Sequence, residues 1–294
     1  MIVVFGGTGQ LGQDLSATAA RDGVALAAID RAEADITDRA AVARVIAERR
    51  PTLVVNAAAY NAVDKAEREP DAAMGTNAEG AGVVAEACAG ADVPVVHLST
   101  DYVFGGEKAG AYDEDDPVGP LSAYARSKAE GEAAVRRRAP RHLIIRTAWL
   151  FGVHGANFVK TVLKLAAERD ALTMVADQHG SPTASADCAR AILAAAAAIA
   201  GGGAPWGTYH FAGPTPATPH AMAERVVAAQ APFTGRAPAV EPVTSAAYGA
   251  AARRPRNSVL DSSRFAAAFG IGASRWEEAV DRTVAELLGT GRSA

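Results

Sequence analysis

Three features of the sequence predict an α/β fold: a doubly wound parallel sheet followed by a smaller, mixed lobe. Short β-branched runs alternate with longer alanine-rich stretches through the first half, the runs are apolar throughout, and a glycine-rich turn separates the first run from the first helical stretch. Continuous apolar runs are what strands show when helices cover both sheet faces. The intervals of roughly 10 to 35 residues leave room for the crossovers that parallel pairing requires.

In chain order, strands are expected over 2–5, 24–29, 53–55, 93–98 and 143–145, with a helix carrying LSAYARSKAEGEAAVRR before the fifth. Beyond Trp149 punctuation increases. A helix over 158–168, a short strand over 172–175, an alanine-rich helix over 189–200, a helix over 221–229 inside a stretch rich in proline, glycine and threonine (214–255), and a last helix over 276–288 are predicted. Residues 1–150 are therefore expected to form the sheet domain and 151–294 mainly the second lobe, with some segments returning to the sheet.

Composition excludes several classes of function. The 294 residues are 49% hydrophobic and 21% charged with a net charge of -4, as an ordinary globular chain is, so no broad basic field for nucleic acid is present. No apolar stretch approaches the roughly 18 residues of a membrane span. The opening MIVVFGGTGQ is expected to be a first strand and not a signal peptide, and a cytoplasmic location is expected. Cys88 and Cys188 are expected to be buried free thiols. The histidines lack zinc-site spacing, so no metal site is assigned.

Gly6, Gly9 and Gly12 follow the first strand and precede a helix beginning near Gln10-Leu11. Glycine at these places allows a sharp turn, close approach to a pyrophosphate and tight helix–sheet contact, with the helix N-terminus facing the anion. This context predicts a Rossmann-type dinucleotide-binding domain over 1–150. Asp30 lies eighteen residues past Gly12, where an acidic residue meets the adenosine ribose, while Arg31 beside it suits a 2′-phosphate, so NADH and NADPH both stay open.

Tyr124 and Lys128 stand at i, i+4, on one helix face. A free tyrosine has a pKa of about 10, and a neighbouring ammonium lowers it toward the range useful for general acid catalysis. Both fall near the carboxyl edge of the sheet, where open α/β folds bind ligands. The fourth strand runs into Ser99-Thr100-Asp101-Tyr102 at the same edge. Thr100 is the expected third member, hydrogen-bonding a substrate carbonyl, with Ser99 its near competitor. Ala57 to Ala59, small residues closing the third strand, suit backbone lying against a flat cofactor.

The strings VVNAAAYNAVDKAE, STDYVF, PLSAYARSK, RTAWLFG, NFVKTVLKLA and DQHGSPT, with a weaker echo at RRPRNSVLD, resemble the extended short-chain dehydrogenase/reductase family and, within it, the dTDP-4-dehydrorhamnose reductase branch. The resemblance implies Thr100, Tyr124 and Lys128 as the active set. It implies cofactor contacts at Gln10, Leu11, Asp30, Asp35, Ile36, Ala59, Tyr60 and Asn61, and substrate contacts at Thr100, Asp101 and Trp149. It further implies NADPH or NADH as hydride donor, a dTDP-sugar substrate reduced at its 4-keto group, and a monomer or homodimer. Mg2+ is implied only by the resemblance, and no site for it is identified. Tyr60-Asn61 stands where members often have histidine and threonine, and the loop around Ala184 to Ala186 is short where some carry an acidic residue for interfacial Mg2+. The alternatives are another nucleotide-sugar 4-ketoreductase, epimerase or dehydratase, and a non-catalytic dinucleotide-binding subunit.

Overall fold

The computed structural model describes residues 1–203 and 205–289; position 204 and the last five residues of the lobe expected over 151–294 lie outside the described residues. The first half alternates as predicted: β1 (Ile2–Phe5), α1 (Gln10–Arg21), β2 (Leu26–Ile29), α2 (Arg39–Arg49), β3 (Leu53–Asn56), α3 (Val63–Ala66), α4 (Pro70–Met74), a π-helical turn (Gly75–Gly80), α5 (Ala81–Gly90), β4 (Val95–Thr100), a 3-10 turn (Asp101–Val103), α6 (Ala123–Arg138) and β5 (His142–Thr147). Beyond these come β6 (Leu150–Phe151), α7 (Phe158–Glu168), β7 (Ala171–Val175), β8 (Thr183–Ala184), α8 (Ser185–Ala200), β9 (Gly207–His210), α9 (Pro219–Thr234), β10 (Ala239–Val243), α10 (Ser245–Tyr248), α11 (Ser263–Phe269) and α12 (Trp276–Gly289).

Six parallel strands form the central sheet in the order β2-β1-β3-β4-β5-β9. Alternation along each strand feeds two cores. Val3, Phe5, Val54 and Ile144 point to the face covered by α2, α5 and α6, while Ile2, Val4, Val55 and Ile145 point to the face covered by α1, α8 and α11. A third core lies in the smaller lobe, where Val159, Leu172, Met222, Val226, Trp276 and Val280 bring α7, α9 and α12 together. Beside it, β7 pairs with β10 and β6 with β8, both parallel.

From β1 the chain crosses to β2 on one side and to β3 on the other, so the loops after β1 and β3 flank a topological switch point, the place where such sheets bind ligands. The short α3, α4 and π-helical turn between β3 and α5, and the strand β10, stand where no element was expected. The strand β10 lies in the stretch 214–255, rich in proline, glycine and threonine, where only the helix over 221–229 was expected.

Candidate active site

Two adjoining cavities open at the carboxyl ends of the strands. One, of about 300 Å³, is lined by Gly6, Gly9, Gln10, Leu11 and Gly12 at one end and by Thr100, Asp101, Tyr124, Lys128 and Trp149 at the other, with Ala59 and Asn61 between. The second, of about 250 Å³, continues from the glycines past Arg31, Asp35, Ile36, Ala59, Tyr60 and Asn61. Every predicted site residue but one lines this channel. Asp30 does not: its carboxylate accepts from the Glu33 backbone N–H at 2.7 Å and closes the turn after β2. The exposed Arg31, 2.8 Å from Asp35, is the charged side chain at this end.

The glycines fit a dinucleotide for a steric reason. A Cβ on Gly12 would stand 2.5 Å from the carbonyl oxygens of Gly6 and Gly7, and one on Gly6, whose φ is +79°, would stand 2.6 Å from the Ala58 nitrogen. Gly7 is equally constrained against Ala28, at 2.6 Å. The glycines thus let the turn pack tightly against α1, β2 and the loop after β3, and they line both cavities at the α1 N-terminus, where a pyrophosphate would sit. Ala57 to Ala59 form the opposite wall.

Ser122 caps α6 by accepting from the Ala125 N–H at 3.1 Å, and the helix turns Tyr124 and Lys128 into the cavity together. Their electrostatics differ from the sequence expectation. Burial pushes the Tyr124 hydroxyl up to about 12, opposed by a hydrogen bond shared with Thr100 and reinforced by the Asp101 charge. Lys128 is not among the groups that lower it, and its ammonium donates to the Leu98 carbonyl at 2.6 Å. Burial lowers Lys128 itself to about 8, against the opposing pull of Glu132 one turn on.

Thr100 sits at the end of β4, its hydroxyl 3.0 Å from Asp101 Oδ1. Ser99, the competitor, lines the same cavity as Thr100 and Tyr124. Trp149 holds a left-handed backbone (φ 46°), rare for a large residue, and its indole lies on Gly180, where a Cβ would come within 2.4 Å. Strain of this kind persists where the surroundings impose it. Here it stands Trp149 between the cofactor-side cavity and a further pocket of about 270 Å³. That pocket brings in Phe158, Gln178 and Arg254, which lie in the strings NFVKTVLKLA, DQHGSPT and RRPRNSVLD but were given no role there, and Met174, Met222 and Tyr248, which no quoted string contains.

Asn77, also missed, sits on the π-helical turn and holds the loop after β3 to α6. It accepts from the Tyr60 N–H at 2.8 Å and donates to the Tyr60 carbonyl at 3.0 Å and to Ser127 Oγ at 2.9 Å. Cys88 and Cys188 are buried and free, each thiol pushed up to about 12 by burial. His97 is buried beside Asn56 and held neutral by burial. Among the described residues no group of three or more His, Cys, Asp or Glu is arranged to hold a metal, and no helix is long and apolar enough to cross a membrane.

This chain is similar along its full length to several dTDP-4-dehydrorhamnose reductases. A dTDP-4-dehydrorhamnose reductase of Sinorhizobium fredii is 41% identical over 295 residues, covering 100% of this chain and 99% of that protein. One of Streptomyces griseus is 43% identical over 289 residues, covering 98% and 94%. The crystal structure of the Bacillus anthracis dTDP-4-dehydrorhamnose reductase in complex with NADP superposes with a TM-score of 0.89 at 34% identity, covering 97% of this chain and 98% of that one. The model of the RmlD substrate binding domain matches residues 1–288, and the chain belongs to that family.

Proposed function

We propose that this protein is an NAD(P)H-dependent oxidoreductase that reduces the 4-keto group of dTDP-4-dehydro-6-deoxy-L-mannose to give dTDP-L-rhamnose. The observation that carries this reading is the joining, in one cavity, of the glycine turn at the α1 N-terminus and the Thr100, Tyr124, Lys128 set, opening past Trp149 into an apolar pocket. Full-length likeness to the reductases named above supports the substrate.

In this reading Gly6 to Gly12 hold the pyrophosphate, Arg31, Asp35 and Ile36 the adenosine end, and Ala59, Tyr60 and Asn61 the span between. Reduced nicotinamide, when bound, supplies the hydride. Tyr124 donates its proton to the ketone oxygen, Thr100 hydrogen-bonds that oxygen, and Lys128 holds the nicotinamide ribose. Trp149 and the pocket beyond it, in the lobe formed mainly by 151–294, receive the sugar and its nucleotide. With Asp30 turned away and Arg31 at the channel mouth, NADPH is the preferred donor, and the cytoplasm is the compartment of action.

Mixing the protein with the 4-keto sugar nucleotide and NADPH is expected to consume one reduced nicotinamide per dTDP-L-rhamnose formed. Tyr124→Phe should lower kcat by about 10²–10⁴ while cofactor affinity is kept. A folded, cofactor-binding protein that leaves the nicotinamide reduced would sink the proposal.

A further inference from the structure

Asp101 lies at the floor of the reaction cavity, 2% exposed, with both carboxyl oxygens engaged by the protein. Oδ1 is 3.0 Å from Thr100 Oγ1, and Oδ2 is 2.5 Å from Ser258 Oγ. Ser258 comes from the far end of the chain, is 1% exposed, and is fixed by its backbone N–H donating to the His179 carbonyl at 2.8 Å. Its hydroxyl lies farther from that carbonyl, at 3.4 Å, than from Asp101.

We propose that Asp101 and Ser258 are positioning residues that set which way the Thr100 hydroxyl points in the reaction cavity. The inference rests on the ketone reduction proposed above. A hydroxyl has one proton and two lone pairs. Thr100 Oγ1 already accepts from the Tyr102 N–H at 3.2 Å and lines the reaction cavity together with Tyr124. While Asp101 is ionised it only accepts, so Thr100 spends its proton on Oδ1. That proton then points away from a ketone in the cavity.

When Asp101 is protonated the chain reverses. Ser258 donates to Oδ2, so the carboxyl proton is held on Oδ1 and given to Thr100. The Thr100 proton is then free for the ketone oxygen. Burial pushes Asp101 up to about 7 in spite of its hydrogen bonds, so the two arrangements exchange near neutrality. The titratable groups facing the carboxyl are Tyr102 and Tyr124, both kept protonated by burial. Arg254 lies beyond Tyr102, paired with Asp64 at 2.7 Å, and Lys128 is bonded to Leu98.

In the full-length enzyme, kcat for ketone reduction should therefore fall as pH rises through about 7. Asp101→Asn, whose amide does not titrate, should abolish this limb. Ser258→Ala removes one bond to the ionised carboxylate and should move the limb up by about one pH unit. Thermal unfolding and NADPH binding check that both variants fold. Infrared difference spectra of wild type against Asp101→Asn give a readout that needs no turnover: a protonated-carboxyl stretch should appear as pH falls through neutrality, at higher pH in Ser258→Ala. No titrating band, an unmoved band in Ser258→Ala, or a wild-type limb retained in Asp101→Asn overturns the inference. A wild-type enzyme that shows the band but does not reduce the sugar overturns the proposed function instead.

Discussion

Tyr124 enters the site with its hydroxyl held up by burial, so its acidity depends on the few groups beside it and not on solvent. The Tyr–Lys spacing was legible because i, i+4 neighbours share a helix face. What the spacing does not contain is where the ammonium points, and here it points to the Leu98 carbonyl. Asp30 shows the same limit: its place after β2 is readable, but its hydrogen bond to Glu33 is a property of the turn. Arg31 is left as the discriminating side chain, and Arg31→Ala should lower the ratio of NADPH to NADH affinity by about fivefold, one exposed ion pair's worth of roughly 1 kcal/mol. Titration calorimetry with each nucleotide measures it; an unchanged ratio would remove Arg31 from nicotinamide choice. Gly12→Ala, which sets a methyl against two carbonyl oxygens, should abolish binding of both nucleotides.

Among the elements, α6 carries most of the site and is fixed on two sides. On one, Gly131 meets the π-helical turn so closely that a Cβ would stand 2.2 Å from the Asn77 carbonyl oxygen. Gly131→Ala should cost about 1–3 kcal/mol by overpacking, seen as a lowered Tm, and should misplace Tyr124 with it. On the other, Glu132 binds Arg146 of β5 through two contacts of 2.8 Å, both side chains no more than 2% exposed. Burial alone would raise the Glu132 carboxyl, but the Arg146 bonds and charge overcome it and hold the group at about 2, below its ordinary 4.5. The stability this pair contributes is thus complete above about pH 4.5 and lost as pH falls toward 2. Glu132→Gln leaves a buried guanidinium without its charge partner and should cost about 3–5 kcal/mol at pH 7 in denaturant unfolding. Neither anchor was legible, since the π-turn has no periodic signature and the ion pair joins residues of separate elements. The strand β10 was missed because its Pro242 argues against a central strand; it pairs only with β7, an edge position that tolerates proline.

Across the whole molecule, the parallel sheet and the carboxyl-edge site followed from the alternation of apolar runs and helices, which a long chain-local pattern can carry. The return of the last third of the chain to the site could not. Arg254 reaches Asp64 of α3 and Asn257 donates to the Lys108 and Gly110 carbonyls at 2.7 and 2.8 Å, while Ser258 bonds Asp101; each contact spans well over a hundred residues. The segment was visible in the sequence only as a faint likeness. Its residues meet the edge of the sheet beside the two cavities, where hydride passes from nicotinamide to the sugar ketone in the proposed reaction. The direct measurement is to supply NADPH deuterated at C4 of the nicotinamide on the face that transfers, with the dTDP-linked 4-keto-6-deoxy sugar, and to examine the product by mass and NMR. One deuterium at C4 of a dTDP-linked 6-deoxyhexose, formed one for one with oxidised nicotinamide, is the predicted result. A product without deuterium, formed by a protein that keeps and recycles its own nucleotide, would contradict it.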